Sequence, residues 1–275
     1  MARPPVEWPI PAYVTELRER VVATYRVPAR ALAPLVPAPV APELLNGQGL
    51  VSLCLGNGRC LKPVGGPASL ASEFHLAEVV TPARWQGACR PALRGALLLR
   101  LLTDSHGLAR LVRTALGFET DLALHTQGAE RNAYAASLRT QTDREESARL
   151  SLARPVEDAS WPTDSVFPSH EAAEAHLLHP ECYFVPTSDG RVVNAVPVHQ
   201  YARSATHLRP AALAAPLLGE LLHCRPEEIV LDHVLFQRRC THTWAFPPER
   251  IPVARQTPAW SLGRATRRQP VALAA

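Results

Sequence analysis

Twenty-seven prolines in 275 residues put frequent breaks in this chain. Each one removes a backbone donor and fixes φ, so a bundle of long helices is excluded. What fits between the breaks are short helices and strands. Hydrophobic residues make up 47% and charged residues 20%, so the chain is globular rather than disordered. Aromatics are only 6%, which leaves Leu, Val and Ala to fill the core. The length suits one large domain or two small ones.

Net charge is +4, and the arginines are spread along the chain. Nucleic-acid binding asks for basic residues gathered on one face, so no nucleic-acid partner is expected. The one local cluster, Arg264, Arg267 and Arg268, reads as a solvated terminus. Of the 29 basic residues only Lys62 is a lysine. Any Schiff-base chemistry needs an amine, and Lys62 or the N-terminus would have to supply it. The six cysteines are too sparse for a disulfide scaffold, and there is no CxxC. The longest apolar stretch, Gly95 to Leu102, is interrupted by Arg100 and too short to cross a bilayer. No signal-peptide core is seen near the N-terminus. A cytoplasmic protein with reduced thiols and no membrane partner is expected.

The pattern along the chain divides it into an arm at 1–18, one domain at 19–253 and a tail at 254–275. Strands are expected at 19–26, 49–55, 73–80, 93–102, 120–126, 133–140, 148–153, 182–186, 191–198 and 229–246. Helices are expected at 28–36, 106–116, 170–178 and 210–223, with Gly117 a stop for the second and Ser169 a cap for the third. Residues 56–67, with four glycines and two prolines, read as a loop. Thr187-Ser-Asp-Gly190 reads as a hairpin turn. The fold class is α+β, mostly antiparallel sheet with a few helices.

Three stretches carry a family resemblance. They are Thr24-Tyr-Arg-Val-Pro to Val40, then Gly49-Leu-Val-Ser-Leu-Cys-Leu55 with Ser72-Glu-Phe-His-Leu76, and then Phe167-Pro-Ser-His-Glu to Ala175 with Val196-Pro-Val-His199. Their order resembles the acetoacetate decarboxylase-like superfamily, and more closely its YqjF-like branch, over about residues 18–250. The resemblance implies an antiparallel β-barrel or cone with helices outside and a small-molecule pocket inside. In the decarboxylase a lysine forms the Schiff base. The corresponding slot here, Leu111 to Thr120, places that position near Glu119, where there is no amine, and Glu119 is a candidate ligand-binding residue.

The resemblance also supplies candidate site residues. Arg26 matches the family arginine at the barrel mouth and would pair with an anionic ligand through its planar fork. Glu73 matches the glutamate that opens the next strand, and in an apolar pocket it would act as acid or base. Glu78 is five residues on and so faces the other side, which means only one of the two can be inside. Arg113, with Arg110 on the same helix face, is a further anion-binding candidate. His199 is a candidate pocket residue.

In the last long strand, Val234, Phe236, Arg238, Cys240, His242 and Trp244 share one face if the alternation is regular. Cys240 and His242 could share a metal with His223 and Cys224, or act as nucleophile and base, but no spacing of zinc-site quality is present. No metal or cofactor is expected, since there is neither a Walker loop nor a dinucleotide glycine fingerprint.

The expected function is binding of a small organic anion, with lyase- or hydratase-type acid–base chemistry that does not use a Schiff base. The alternative is a ligand-binding or structural barrel without turnover, its interior filled by side chains. An exposed sheet edge could pair two copies as a homo-oligomer.

Overall fold

A computed structural model describes residues 12–67, 72–87, 91–130, 133–140, 146–153, 160–202 and 204–253. The first half contains β1 (Ala12–Pro28), α1 (Ala29–Leu32), β2 (Val40–Pro42), β3 (Leu44–Leu45), β4 (Gln48–Pro63), β5 (Phe74–Trp85), β6 (Leu93–Thr103) and α2 (His106–Leu116). Next come β7 (Asp121–Glu130), β8 (Ala133–Thr140), β9 (Glu146–Ala153), α3 (His170–Leu177), β10 (Cys182–Pro186) and β11 (Val192–Tyr201). The chain continues through β12 (Thr206–His207), β13 (Pro210–Ala214), α4 (Pro216–Leu222), β14 (Val230–Ala245) and β15 (Glu249–Pro252).

Seven strands close on themselves in the order β5, β6, β10, β11, β14, β1, β4 and back to β5. All of these pairings are antiparallel except the short one between β6 and β10. The result is a ring of strands less regular than a barrel. From β6 a second antiparallel patch runs outward through β7, β8, β9 and β13. Closure at β6–β10 depends on Gly95, because a Cβ there would collide with the carbonyl oxygen of Cys182. Only a residue without a side chain lets the two backbones approach so closely.

Strand alternation divides the packing into layers. Val22, Leu50, Cys54, Leu76, Val80, Leu98, Tyr183, Val196, Val198 and Leu235 are buried inside the ring. The intervening residues Val21, Ala23, Val27, Val51, Leu53, Val79 and Val234 are buried on the outside, under α1 and under Leu217, Leu218 and Leu222 of α4. Strands buried on both faces read as continuous apolar runs. That explains why Val21–Ala23 and Leu50–Leu55 carry so little polar alternation. α2 begins at Ser105, whose hydroxyl accepts from the Leu108 N–H, and stops at left-handed Gly117. Ser169 caps α3 in the same way.

Several expectations need correction. β1 starts at Ala12, so Ala12–Arg18, expected in a loose arm, belong to a strand, with Ala12–Leu17 paired with β14 and Tyr13–Leu17 also with β4. Residues 56–63 are not a loop but the continuation of β4. Gly58 is needed there because a Cβ would fall within the Phe74 ring. The helix expected at 210–223 is strand β13 followed by α4, with Pro216 in the first helical turn. The tail at 254–275 and the first eleven residues lie outside the described residues. Among the described residues no helix is long and apolar enough to cross a membrane.

Irregularities in the ring strands set which side chains face inward; one between β5 and β6 skips Leu99 and puts Leu98 and Leu101 on the same inner wall. Register shifts at Leu17 in β1 put Leu17 and Arg20, of opposite parity, on the same inner side. In β14 the left-handed Arg239, φ 55°, separates Gln237 from Cys240 in the same way. Asp232 is the extra residue where Thr24 pairs with His233 and Tyr25 with Leu231. A bulge bends the strand and re-aims its side chains. The uniform alternation expected for 234–244 therefore fails at Arg239. Leu235 and Gln237 join Cys240, His242 and Trp244 on the inner face, while Arg238 is exposed.

Candidate functional site

A cavity of about 100 Å³ opens inside one end of the ring. Its walls come from β1 (Tyr13, Thr15, Leu17), β5 (Phe74, Leu76, Glu78), β6 (Leu98, Leu101), β10 (Tyr183, Val185) and β14 (His242, Trp244), with Phe246. The apolar stripe of α2, with Leu108, Leu111, Val112, Ala115 and Leu116, forms the cover. The interior is therefore not packed solid. Hydrocarbon cavities of roughly 150 Å³ take up benzene, so this one suits a small organic molecule and not a nucleotide cofactor.

Glu78, Tyr183, His242 and Thr15 are polar side chains on this largely apolar wall, which Tyr13 and Trp244 also line. Behind them lies Arg20, 3% exposed. Its Nη1 donates to Gln200 Oε1 at 3.2 Å, and its Nη2 lies 3.4 Å from the Tyr183 hydroxyl oxygen and 3.8 Å from Cys54 Sγ. Arginine stays charged and donates only. Tyr183 thus accepts from Arg20 and turns its own hydrogen toward Glu78 Oε2, at 3.5 Å. That contact is long, so it holds the carboxyl weakly. On the other side Gln200 Nε2 donates to Gln237 Oε1, and Gln200 Oε1 lies 3.0 Å from His242 Nε2. Trp244 closes the set by donating from Nε1 to Thr15 Oγ1 at 3.0 Å.

Burial raises the proton affinity of the Glu78 carboxyl, and the Arg20 charge and the Tyr183 hydroxyl offset it only in part. Burial, then the nearby Glu78, pushes the Tyr183 phenol well above its ordinary range. Burial and the Arg20 charge hold His242 well below the usual histidine value. Burial also raises Cys54, to about 11, and Cys240. The site thus holds a carboxyl ready to keep a proton, a neutral imidazole and a permanent cation. This is a donor and acceptor set suited to moving a proton on a small molecule.

The residues expected at this site lie elsewhere. Glu73 is outside the ring, its side chain 70% exposed and paired with Arg18 at 2.7 Å. Arg26 donates to Asp164 at 2.9 Å and lies 3.2 Å from Asp232, so its charge is already paired with two carboxylates. Arg18 and Arg26 are eight residues apart on β1, roughly 26 Å at the strand rise. The two expected partners therefore sit at opposite ends of the ring. Arg113 and Arg110 are on the exposed side of α2, and Glu119 is exposed beyond its end. His199 is one residue from the inward-facing Gln200 and so takes the other face. The buried arginine and the inward-facing carboxylate of the ring are instead Arg20 and Glu78.

One sequence signal could have found Arg20: it is a charge at the edge of an unbroken apolar run, Val21–Ala23. Lys62 pairs with Val14, whose neighbours Tyr13 and Thr15 line the cavity. Cross-strand partners share a face, so Lys62 points the other way and donates to the Gly66 carbonyl at 3.0 Å. Cys240 and His242 do meet, Sγ to Nε2 at 3.1 Å. His223, however, is exposed at the end of α4. Among the described residues no three His, Cys, Asp or Glu gather as a metal site.

No protein-family model matches the chain, and no curated protein does. Solved structures do. Acetoacetate decarboxylase from Legionella pneumophila superposes with a TM-score of 0.60 at 16% identity, over 91% of each chain. The chain has the acetoacetate decarboxylase-like fold. The enduracididine biosynthesis enzyme MppR, complexed with the condensation product of pyruvate and imidazole 4-carboxaldehyde, shares it at a TM-score of 0.58. Identity there is 12%, over 89% of this chain and 90% of that one. An acetoacetate decarboxylase-like enzyme from Sphingomonas wittichii RW1 is similar at 0.58 and 11% identity, over 88% and 94%. In this acetoacetate decarboxylase-like ring the Arg20–Tyr183–Glu78 set lies on the inside wall, beneath α2.

Proposed function

We propose that this chain binds a small organic anion inside the ring and that Glu78 gives or takes a proton on it. The observation that carries the reading is the position of Glu78. Among the described residues it is the carboxylate on a largely apolar cavity wall, with the Arg20 cation one side chain behind it. An anion entering the cavity gains from that buried charge, and the mostly apolar walls strengthen the attraction. A carboxyl of raised proton affinity can donate to a carbonyl or leaving hydroxyl and take the proton back from carbon. This is chemistry of the lyase or hydratase type, and no amine is assigned to it, because Lys62 faces away from the cavity. MppR, a protein of the same fold, has been solved in complex with pyruvate, which supports a small organic acid as the class to test. Within the fold we assign the chain to the YqjF-like branch, on the order of its short phrases.

The test is proton exchange in heavy water. Small carboxylic and oxo acids are incubated with the protein, and loss of the C–H signal next to the carboxyl is followed by NMR. The expected result is catalysed exchange of at least one acid, lost in Glu78→Gln. Exchange that persists unchanged in Glu78→Gln would overturn the reading.

A further inference from the structure

The hydrogen-bond polarity inside the ring is fixed by Arg20, and following it outward gives the state of His242. Arg20 has no acceptor atom, so the Gln200 atom 3.2 Å from its Nη1 has to be the amide oxygen. Turning the Gln200 amide over would set an N–H against the guanidinium, and no rotation of Gln237 relieves that. The same Gln200 oxygen lies 3.0 Å from His242 Nε2. Two acceptors cannot face each other at that distance, so Nε2 carries the hydrogen. Cys240 Sγ, 3.1 Å from the same nitrogen, lies beside this bond as a second, weaker acceptor. With Nε2 protonated and the ring neutral, the remaining nitrogen, Nδ1, is a bare lone pair. Nδ1 makes no hydrogen bond among the described residues, and His242 lines the cavity.

We propose that His242 Nδ1 is the hydrogen-bond acceptor of the binding site, and that the anion it selects is a small hydroxy acid whose hydroxyl donates to it. The proposal deepens the reading above and rests on it for the presence of a ligand. Its own content is the direction of one hydrogen bond. A cavity whose buried acceptor is satisfied only by a donor discriminates strongly, because a ligand lacking that hydrogen leaves the nitrogen unpaired. A 2-oxo acid is worse still, since it brings a carbonyl lone pair to the imidazole lone pair. In this scheme Arg20 and Gln200 are positioning residues and touch no ligand. Gln200 holds the tautomer, and Arg20 holds Gln200.

Two measurements test this on the full-length protein. The first needs no ligand. With ¹⁵N-labelled histidine, long-range ¹H–¹⁵N correlation distinguishes a bare ring nitrogen from a protonated one, and His242→Gln identifies the resonances. The expected result is a bare Nδ1 and a protonated Nε2. Gln200→Leu is expected to mix the tautomers and Gln200→Glu, which keeps an acceptor, to restore the single form. A protonated Nδ1 in the native protein overturns the proposal.

The second compares 2-hydroxy-3-methylbutanoate, 3-methylbutanoate and 2-oxo-3-methylbutanoate by calorimetry. The hydroxy acid is expected to bind about tenfold more tightly than the plain acid, and the oxo acid most weakly. Equal affinity of the first two overturns the hydroxyl selection while leaving the cavity reading intact. No binding by any of the three overturns both, whatever the tautomer.

Discussion

Arg20 Nη1 lies 3.2 Å from Gln200 Oε1, deep inside a ring of strands. One end of the guanidinium thus reaches toward His242 through Gln200, and the other reaches toward Glu78 through Tyr183. Replacing it with an apolar side chain of similar length takes away the donor to the Tyr183 hydroxyl oxygen and Cys54 Sγ and one of the two donors to Gln200 Oε1. Arg20→Met is expected to lower stability by about 2–4 kcal/mol, the cost of orphaned buried polar groups. Urea denaturation would check it. The Arg18→Met variant, at an exposed surface pair, is expected to stay within about 0.5 kcal/mol of the native protein.

The raised proton affinity of Glu78 has a signed consequence for stability. Below pH 4.5 the carboxyl is protonated both folded and unfolded, and its contribution is fully present. As pH rises from there through the folded-state pKa, the folded chain holds the proton longer than the unfolded chain does, so stability falls. Glu78→Gln removes this titration. The variant is expected to gain on the native protein as pH rises from 4.5 to the folded-state pKa and then to hold a constant lead, and denaturation curves across that range would show it.

His125 gives the opposite slope. Burial, then the charge of the stacked His75 with ring centroids 4.7 Å apart, lowers it to about 4. Its contribution is present above pH 6.5 and lost as pH falls toward 4. The loss is at most roughly 3 kcal/mol before solvent screening reduces it. His125→Phe keeps a stacking ring without the titration, and thermal melts at pH 7 and pH 4.5 are expected to differ less than those of the native chain.

Closure of the ring can be tested at two glycines. Gly95→Ala drives a methyl into the Cys182 backbone, which cannot yield without parting β6 from β10. Gly58→Ala meets the Phe74 ring, which can turn. Overpacking costs about 1–3 kcal/mol. Gly58→Ala is expected within that range and Gly95→Ala at its top or beyond, with greater loss of near-ultraviolet dichroism around the β10 aromatics.

Much of the fold was legible because the local chemistry was unambiguous. Ser169 and Gly117 mark helix ends, Thr187–Gly190 marks a turn, and the apolar runs mark strands buried on both faces. The site was less legible because strand phase is a cumulative count, and irregularities in β1, β6 and β14 reset it. Nothing in Arg239 signals a left-handed backbone, and nothing in Asp232 signals an extra residue. The glycines of 56–58 imply a loop until Phe74 is known to lie across Gly58. Residues 210–214 form a strand paired with β9, a tertiary fact that overrides their helical composition. The alternation rule did limit β5 to one inward glutamate. The structure makes it Glu78, since the opposite face carries Glu73 into solvent.

The most direct measurement sets these two carboxylates against each other in the heavy-water exchange assay. Glu73→Gln and Glu78→Gln are compared with the native protein on the same small acids. Native exchange retained in Glu73→Gln and lost by at least a hundredfold in Glu78→Gln, in line with removal of a general acid or base, is the expected result. Loss in Glu73→Gln with exchange retained in Glu78→Gln would contradict the account.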